Sequence, residues 1–228
     1  MLGRYYLDTL YPFQDKILNV IGRLKLDFYL TGGTALGRCY LNHRYSDDLD
    51  FFVNDHKAFK KQCTAAINAL KSRWKCDVAT TSDMFVRIFL QRKAISLKID
   101  FVNDVPFHFG EFQRSSIFYR IDSWKNILSN KLCALSRLEA KDIADIVFIA
   151  KNYSFDWETI LSEAKEKDLW VDPIEICRMI NRFPTQLLAE IKWIEEVNVD
   201  ELKSQINIVH DDIFIGAENS LFVIEPSE

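Results

Sequence analysis

The chain has 228 residues, 48% of them hydrophobic and 27% charged, and a formal net charge of −4, which fits a folded globular protein and excludes a disordered polyelectrolyte. No run approaches the roughly 20 apolar residues that span a bilayer, and Asp8 soon after Arg4 does not fit a signal peptide, so a cytosolic protein without membrane attachment is expected. The charge is unevenly divided: residues 1–150 hold 22 Lys+Arg against 16 Asp+Glu, and residues 151–228 hold 7 against 17, so the front suits a polyanionic ligand while the acidic tail reads as solvated surface or a seat for a basic partner.

From about Leu7 to Leu26, Leu10, Phe13, Ile17, Leu18, Val20, Ile21 and Leu24 recur at helical spacing and predict an amphipathic helix. Phe28–Thr31 is a short apolar strand entering Gly32-Gly33, a pair that permits close backbone approach. Thr34 is then expected to cap a helix through about Leu41, leaving N–H groups free for an anion. Asp48–Val53 reads as a strand whose alternation puts Asp48 and Asp50 on one face and Leu49 and Phe51 on the other; this parity selects Asp48 over Asp47.

A helix over Lys57–Ser72 and three strands follow, at Lys75–Thr80, Phe85–Leu90 and Ile95–Val102. In the last, Lys98, Asp100 and Val102 share a face, and Asp100 needs solvent or a partner there. The segment Asn103–Ser116, with Pro106 and Gly110, is a connector, and a boundary between 115 and 116 is expected. Beyond it helices are predicted at Ser123–Arg137, Leu138–Lys151, Trp157–Lys167, Pro173–Arg182, Thr185–Glu195 and Asp200–Ile208.

Two carboxylates two apart on a strand lie about 7 Å apart, and a third on a neighbouring strand lies within about 5 Å of either. Such hard oxygen donors suit Mg²⁺, with Mn²⁺ as a substitute, bridging triphosphate oxygens and helping to activate an attacking hydroxyl. The five scattered cysteines form no disulfide framework or CxxC site, and His56, His108 and His210 lack ligand spacing for zinc. Phe51, Phe52, Phe85, Phe89 and Phe101 read as core, His43 and Arg44 as phosphate contacts or an exposed loop pair, and Arg137 and Lys141 as surface charges or contacts to RNA or triphosphate.

Three motifs, LTGGTALGRCYLNHRYSDDLDFF, SLKIDFV and KLCALSRLEAKDIADI, resemble the nucleotidyltransferase superfamily of the DNA polymerase β type, and within it the AbiEii-type toxins of type IV toxin–antitoxin systems. The resemblance implies an α+β protein: a minimal nucleotidyltransferase core over residues 1–115, with a small mixed sheet, then a helical C-terminal region over 116–228 that closes the nucleotide site. It implies that Gly32, Gly33, Thr34, Arg44 and Ser46 meet the nucleotide phosphates, that Asp48 and Asp50 bind metal, and that Asp100 is the third carboxylate, as base or ligand. It further implies that Lys131 contacts phosphate, and that Asp142, in preference to Asp145, reaches the site. The turn is Gly-Gly-Thr where the wider superfamily has Gly-Ser, and the spacing from Gly33 to Asp48 is longer; both agree with the AbiEii branch.

The function so implied is metal-dependent transfer of a nucleoside monophosphate from an NTP to an acceptor, RNA and in particular tRNA, by a toxin of a toxin–antitoxin or phage-defence system with a separately encoded antitoxin. The alternatives are a small-molecule acceptor such as an aminoglycoside, or a non-catalytic nucleotide-binding regulatory partner.

Overall fold

Apolar residues at helical spacing build the first long helix, α2 (Tyr11–Arg23), which follows a single turn α1 (Leu2–Tyr5) and a wider π turn (Tyr6–Leu10). The computed structural model describes residues 2–223; Met1 and the last five residues of the expected helical region and acidic tail lie outside the described residues. The chain divides into two units, Met1–Ser123 and Trp124–Glu228.

In the first unit, β1 (Tyr29–Thr31) runs into α3 (Gly32–Leu36), which continues as a π turn to Leu41. Then come β2 (Leu49–Asn54), α4 (Phe59–Lys71), β3 (Lys75–Thr81), β4 (Phe85–Arg92) and β5 (Ile95–Asp104). The strands form one mixed sheet in the order β1-β2-β5-β4-β3, in which only β2 and β5 pair in parallel. Alternation gives the sheet two faces. Leu49, Phe51, Ile99, Phe101, Val86 and Ile88 are buried on one, where Phe28 contacts Phe51, Phe101 and Phe59 of α4. The other face carries Asp50, Asp100 and Arg87, which are register neighbours across β2, β5 and β4. Of the five phenylalanines read as core, Phe51 and Phe101 are fully buried. Phe52, Phe85 and Phe89 are only half-buried, because their parity places them on the carboxylate face.

Residues 105–123 return to β1: Leu30 N–H donates to the Arg120 carbonyl and Asp122 N–H to the Leu30 carbonyl, both at 2.9 Å. The boundary expected at 115/116 falls inside this return, whereas the chain divides between Ser123 and Trp124, because the segment is tied to the sheet by backbone hydrogen bonds that a Pro/Gly signal does not reveal.

The second unit is built from α5 (Trp124–Ala134), α6 (Ala140–Asn152), α7 (Trp157–Lys167), α8 (Pro173–Arg182) and α9 (Val199–Ile215). Three helix starts are written in the sequence: the side chains of Asp156, Asp172 and Asn198 accept N–H groups of the first turns of α7, α8 and α9. The helix expected at Thr185–Glu195 is a 3₁₀ segment, Thr185–Glu190. The last helix runs seven residues beyond the expected Ile208, until Gly216 ends it at φ +68°.

Candidate active site

Gly32 is the hinge of the first unit's site. Its φ of +67° is the left-handed region that glycine favours, and a Cβ there would stand 2.5 Å from Asp50 Oδ2. Asp50 faces Thr31 on β1 and Asp100 on β5 in register, so the strand end, the glycine turn and two carboxylates meet on one face. A Cβ on Gly33 would lie 2.5 Å from an Arg44 guanidinium nitrogen and 3.1 Å from Ser46 Oγ. The motif's loop thus folds back on the Gly-Gly turn, and Arg44 and His43 are buried rather than an exposed pair, at 4% and 6% exposure.

Thr34 is not the cap of α3. Thr31 occupies that position, and its side chain makes no capping hydrogen bond. The Thr34 hydroxyl lies inside the helix, 3.0 Å from Ser46 Oγ and 2.5 Å from the Asp48 carbonyl, to which it donates. It therefore holds the strand that carries Asp48. Gln14 of α2 supports the same loop, its amide donating to the carbonyls of Ser46 and Asp47, each at 3.2 Å. Asp47 is occupied elsewhere: its carboxylate accepts the Tyr6 hydroxyl. Burial and this bond push the Tyr6 hydroxyl's pKa well above the ordinary tyrosine range.

The partners of Asp48 and Asp100 escape the motif reading. Lys98, two residues before Asp100 on the same face, places its ammonium 2.7 Å from Asp48 Oδ2 and 4.0 Å from Asp100 Oδ2. Burial lowers the Lys98 pKa, but the hydrogen bond to Asp48 and the charges of Asp48, Asp100 and Asp50 outweigh it and leave it raised. Arg87 on β4 clasps Asp100 with two hydrogen bonds of 2.8 and 2.7 Å, and that bonding raises its pKa further. Asp100, 6% exposed, is thus paired rather than solvated. Strand parity was the available signal: Lys98 shares a strand face with Asp100, and Arg87 is its register partner.

Asp48, Asp50 and Asp100 are hard oxygen donors on one face beside a turn that admits close approach, a donor set that fits a small divalent cation together with phosphate oxygens. Among the described residues no three acidic, histidine or cysteine side chains converge tightly enough to hold an ion unaided. Lys98 and Arg87 supply the balancing charge.

Within the second unit, Lys131 of α5 lies between Asp142 and Asp145 of α6, with N–O distances of 2.6 and 2.7 Å. Arg137 reaches Asp142 at 3.3 Å. Both aspartates are buried, three apart on one helix face, so Lys131 engages the pair rather than selecting Asp142. Lys141 pairs with Glu139 on the surface.

The family profile of the nucleotidyl transferase AbiEii toxin, type IV TA system, matches residues 17–208. Among solved structures, JHP933 from Helicobacter pylori is similar, with a TM-score of 0.58 and 22% identity, over 90% of this chain and 91% of that one. A second crystal structure from H. pylori, provisionally named a nucleotidyltransferase, gives a TM-score of 0.58 and 21% identity over 90% and 94%. Both share the fold. Comparison with curated proteins gave no match.

Proposed function

The chain belongs to the AbiEii nucleotidyltransferase toxin family of type IV toxin–antitoxin systems, and on that premise we propose that it transfers a nucleoside monophosphate from an NTP to an RNA acceptor, tRNA in particular, in a metal-dependent reaction restrained by a cognate antitoxin. The observation that carries this reading is that Asp50 and Asp100 are register neighbours on one sheet face, Asp50 against Gly32, with Lys98 linking Asp48 to Asp100.

In this reading Gly32 and Gly33 let phosphate oxygens approach the backbone, and Arg44 and Ser46, both beside Gly33, bind them. Asp48, Asp50 and Asp100 would hold a divalent cation, Mg²⁺ by donor hardness or Mn²⁺ in its place, which when bound would neutralise charge developing on the leaving pyrophosphate. The acceptor hydroxyl oxygen bonds to the α-phosphorus, its bond to pyrophosphate breaks, and the hydroxyl proton passes to Asp100 or to water beside it. Within the second unit Lys131, held by Asp142 and Asp145, keeps the role that the family resemblance implies for it, a point charge for phosphate.

The test incubates the protein with Mg²⁺, each labelled NTP in turn, and total RNA. Label should enter RNA with one or more NTPs and be lost in Asp48→Ala and Asp50→Ala variants and on chelation. Absence of label in RNA with every NTP, or transfer unchanged in both variants, would overturn the proposal. Label found in small molecules instead of RNA would assign the second acceptor class.

A further inference from the structure

An open cavity of about 550 Å³ lies on the first unit, away from the sheet face that bears the carboxylates, between the solvent side of α2 and the residues that follow α4. Phe13, Ile17, Leu18 and Ile21 turn the opposite side of α2 into the core. That leaves Asp15, Lys16, Asn19 and Arg23 to line the cavity, with Arg73 and Trp74 across from them. Lys16, Arg23 and Arg73 form no ion pair among the described residues. The cavity's one carboxylate, Asp15, is already bound by Arg38 at 2.6 Å, so the groove presents three uncompensated cations. Trp74 stands half-buried beside them, braced edge-on against Phe13 with ring centroids 5.5 Å apart.

Two features select the ligand. Lys16 and Arg23 are seven residues apart on one helix, about 10 Å along its axis, a span that suits successive phosphates of a chain better than one isolated phosphate group. A braced indole next to guanidinium groups is the arrangement on which an unpaired base stacks while its phosphates are neutralised. We propose that this groove binds the phosphodiester backbone and one unstacked base of the RNA acceptor. The inference rests on the RNA reading of the acceptor given above.

The groove is also tied to the transfer site within the same unit. Arg38 bonds Asp15 in the groove wall and, at 3.1 Å, Gln14 Oε1. The Gln14 amide in turn donates to the carbonyls of Ser46 and Asp47, just before Asp48. Strand held in the groove is therefore fastened to the helix that supports the catalytic loop.

The test measures anisotropy of fluorescein-labelled total tRNA on the full chain across a series of NaCl concentrations. A variant carrying Lys16→Gln, Arg23→Gln and Arg73→Gln should bind at least tenfold more weakly at low salt. The slope of log affinity against log salt should become shallower by about two, since each lost phosphate contact removes about 0.7–0.9. Trp74→Leu should weaken binding with little change of slope. Lys16, Arg23 and Arg73 are exposed, so the triple variant should keep the wild-type melting temperature, and NTP binding should be unaltered in both variants. If the wild type labels RNA and the triple variant binds and labels it equally well, the groove assignment fails and the acceptor reading stands. If the wild type neither binds nor labels RNA, the acceptor reading fails and takes the groove with it.

Discussion

Arg87 and Asp100 are joined by two parallel hydrogen bonds across β4 and β5, Nε to Oδ1 at 2.8 Å and Nη2 to Oδ2 at 2.7 Å. The pair gives a carboxylate that is 6% exposed two charge-assisted hydrogen bonds. Arg87→Met leaves Asp100 with one cation 4.0 Å away, and the loss of charge-assisted hydrogen bonds should lower stability by about 1–3 kcal/mol. Urea denaturation should show this, and added Mg²⁺ should recover more of the midpoint in the variant than in the wild type.

Lys98 competes with any cation for Asp48. Its ammonium is 2.7 Å from the carboxylate, so under the proposed metal-dependent function it would have to give way, or move onto phosphate, for a divalent ion to bind there. Lys98→Met should therefore bind Mn²⁺ several-fold more tightly than the wild type in the absence of nucleotide, as read by calorimetry. Equal or weaker binding would show that Lys98 is not the counter-ion of the free site.

Gly32→Ala tests the turn. The left-handed conformation costs a non-glycine residue about 1–2 kcal/mol, and the new methyl would also meet Asp50 Oδ2 at 2.5 Å. The variant should melt at lower temperature and lose nucleotide transfer through displacement of Asp50. Gly216→Ala has the same φ penalty and no atom within 4 Å, so it should lose a similar increment of stability and keep transfer.

Lys131→Ala removes the ammonium shared by two buried carboxylates, Asp142 at 1% and Asp145 at 0% exposure, and leaves Arg137 on Asp142. Removing one partner of a buried charge cluster costs about 3–5 kcal/mol. Loss of transfer in this variant should thus be accompanied by a large drop in melting temperature. Adding Asp145→Asn to it should restore part of the stability without restoring transfer.

Burial pushes the Cys63 thiol up to about 12 and that of Cys177 up to about 11, from an ordinary value near 9. A thiol that stays protonated when folded but ionises when unfolded stabilises the protein fully below about pH 9 and loses that contribution as the pH climbs toward these raised values. Denaturation midpoints should fall from about pH 9 to 11, and Cys63→Ala should fall less steeply over the same interval.

Strand periodicity alone gave the sheet's two faces and the choice of Asp48 over Asp47, because side-chain direction in a strand follows from parity. The structure gives Asp47 its own partner in Tyr6. Local chemistry likewise marked the helix starts: Asp172-Pro173 carries its own cap and α8 begins where expected. Where the outcome depended on distant chain, the local reading went astray. Thr34 has the residue type of a cap, yet its hydroxyl serves the Asp48 carbonyl fourteen residues away. Phe52, Phe85 and Phe89 have core composition, yet register puts them beside Asp50, Asp100 and Arg87.

What the sequence by itself determined is the set of groups to which the proposed function assigns phosphate and metal: the Gly-Gly turn, the aspartates on alternate strand positions, and the motif of Lys131 and Asp142. The tertiary structure decided how their charges are balanced. Lys98 and Arg87 neutralise Asp48 and Asp100, Arg44 folds onto Gly33, and three cations gather with Trp74 in a groove on α2. The physical reason is range. Parity and capping act between near neighbours along the chain, whereas charge compensation is settled by whichever groups the sheet register and helix packing bring within a few ångströms.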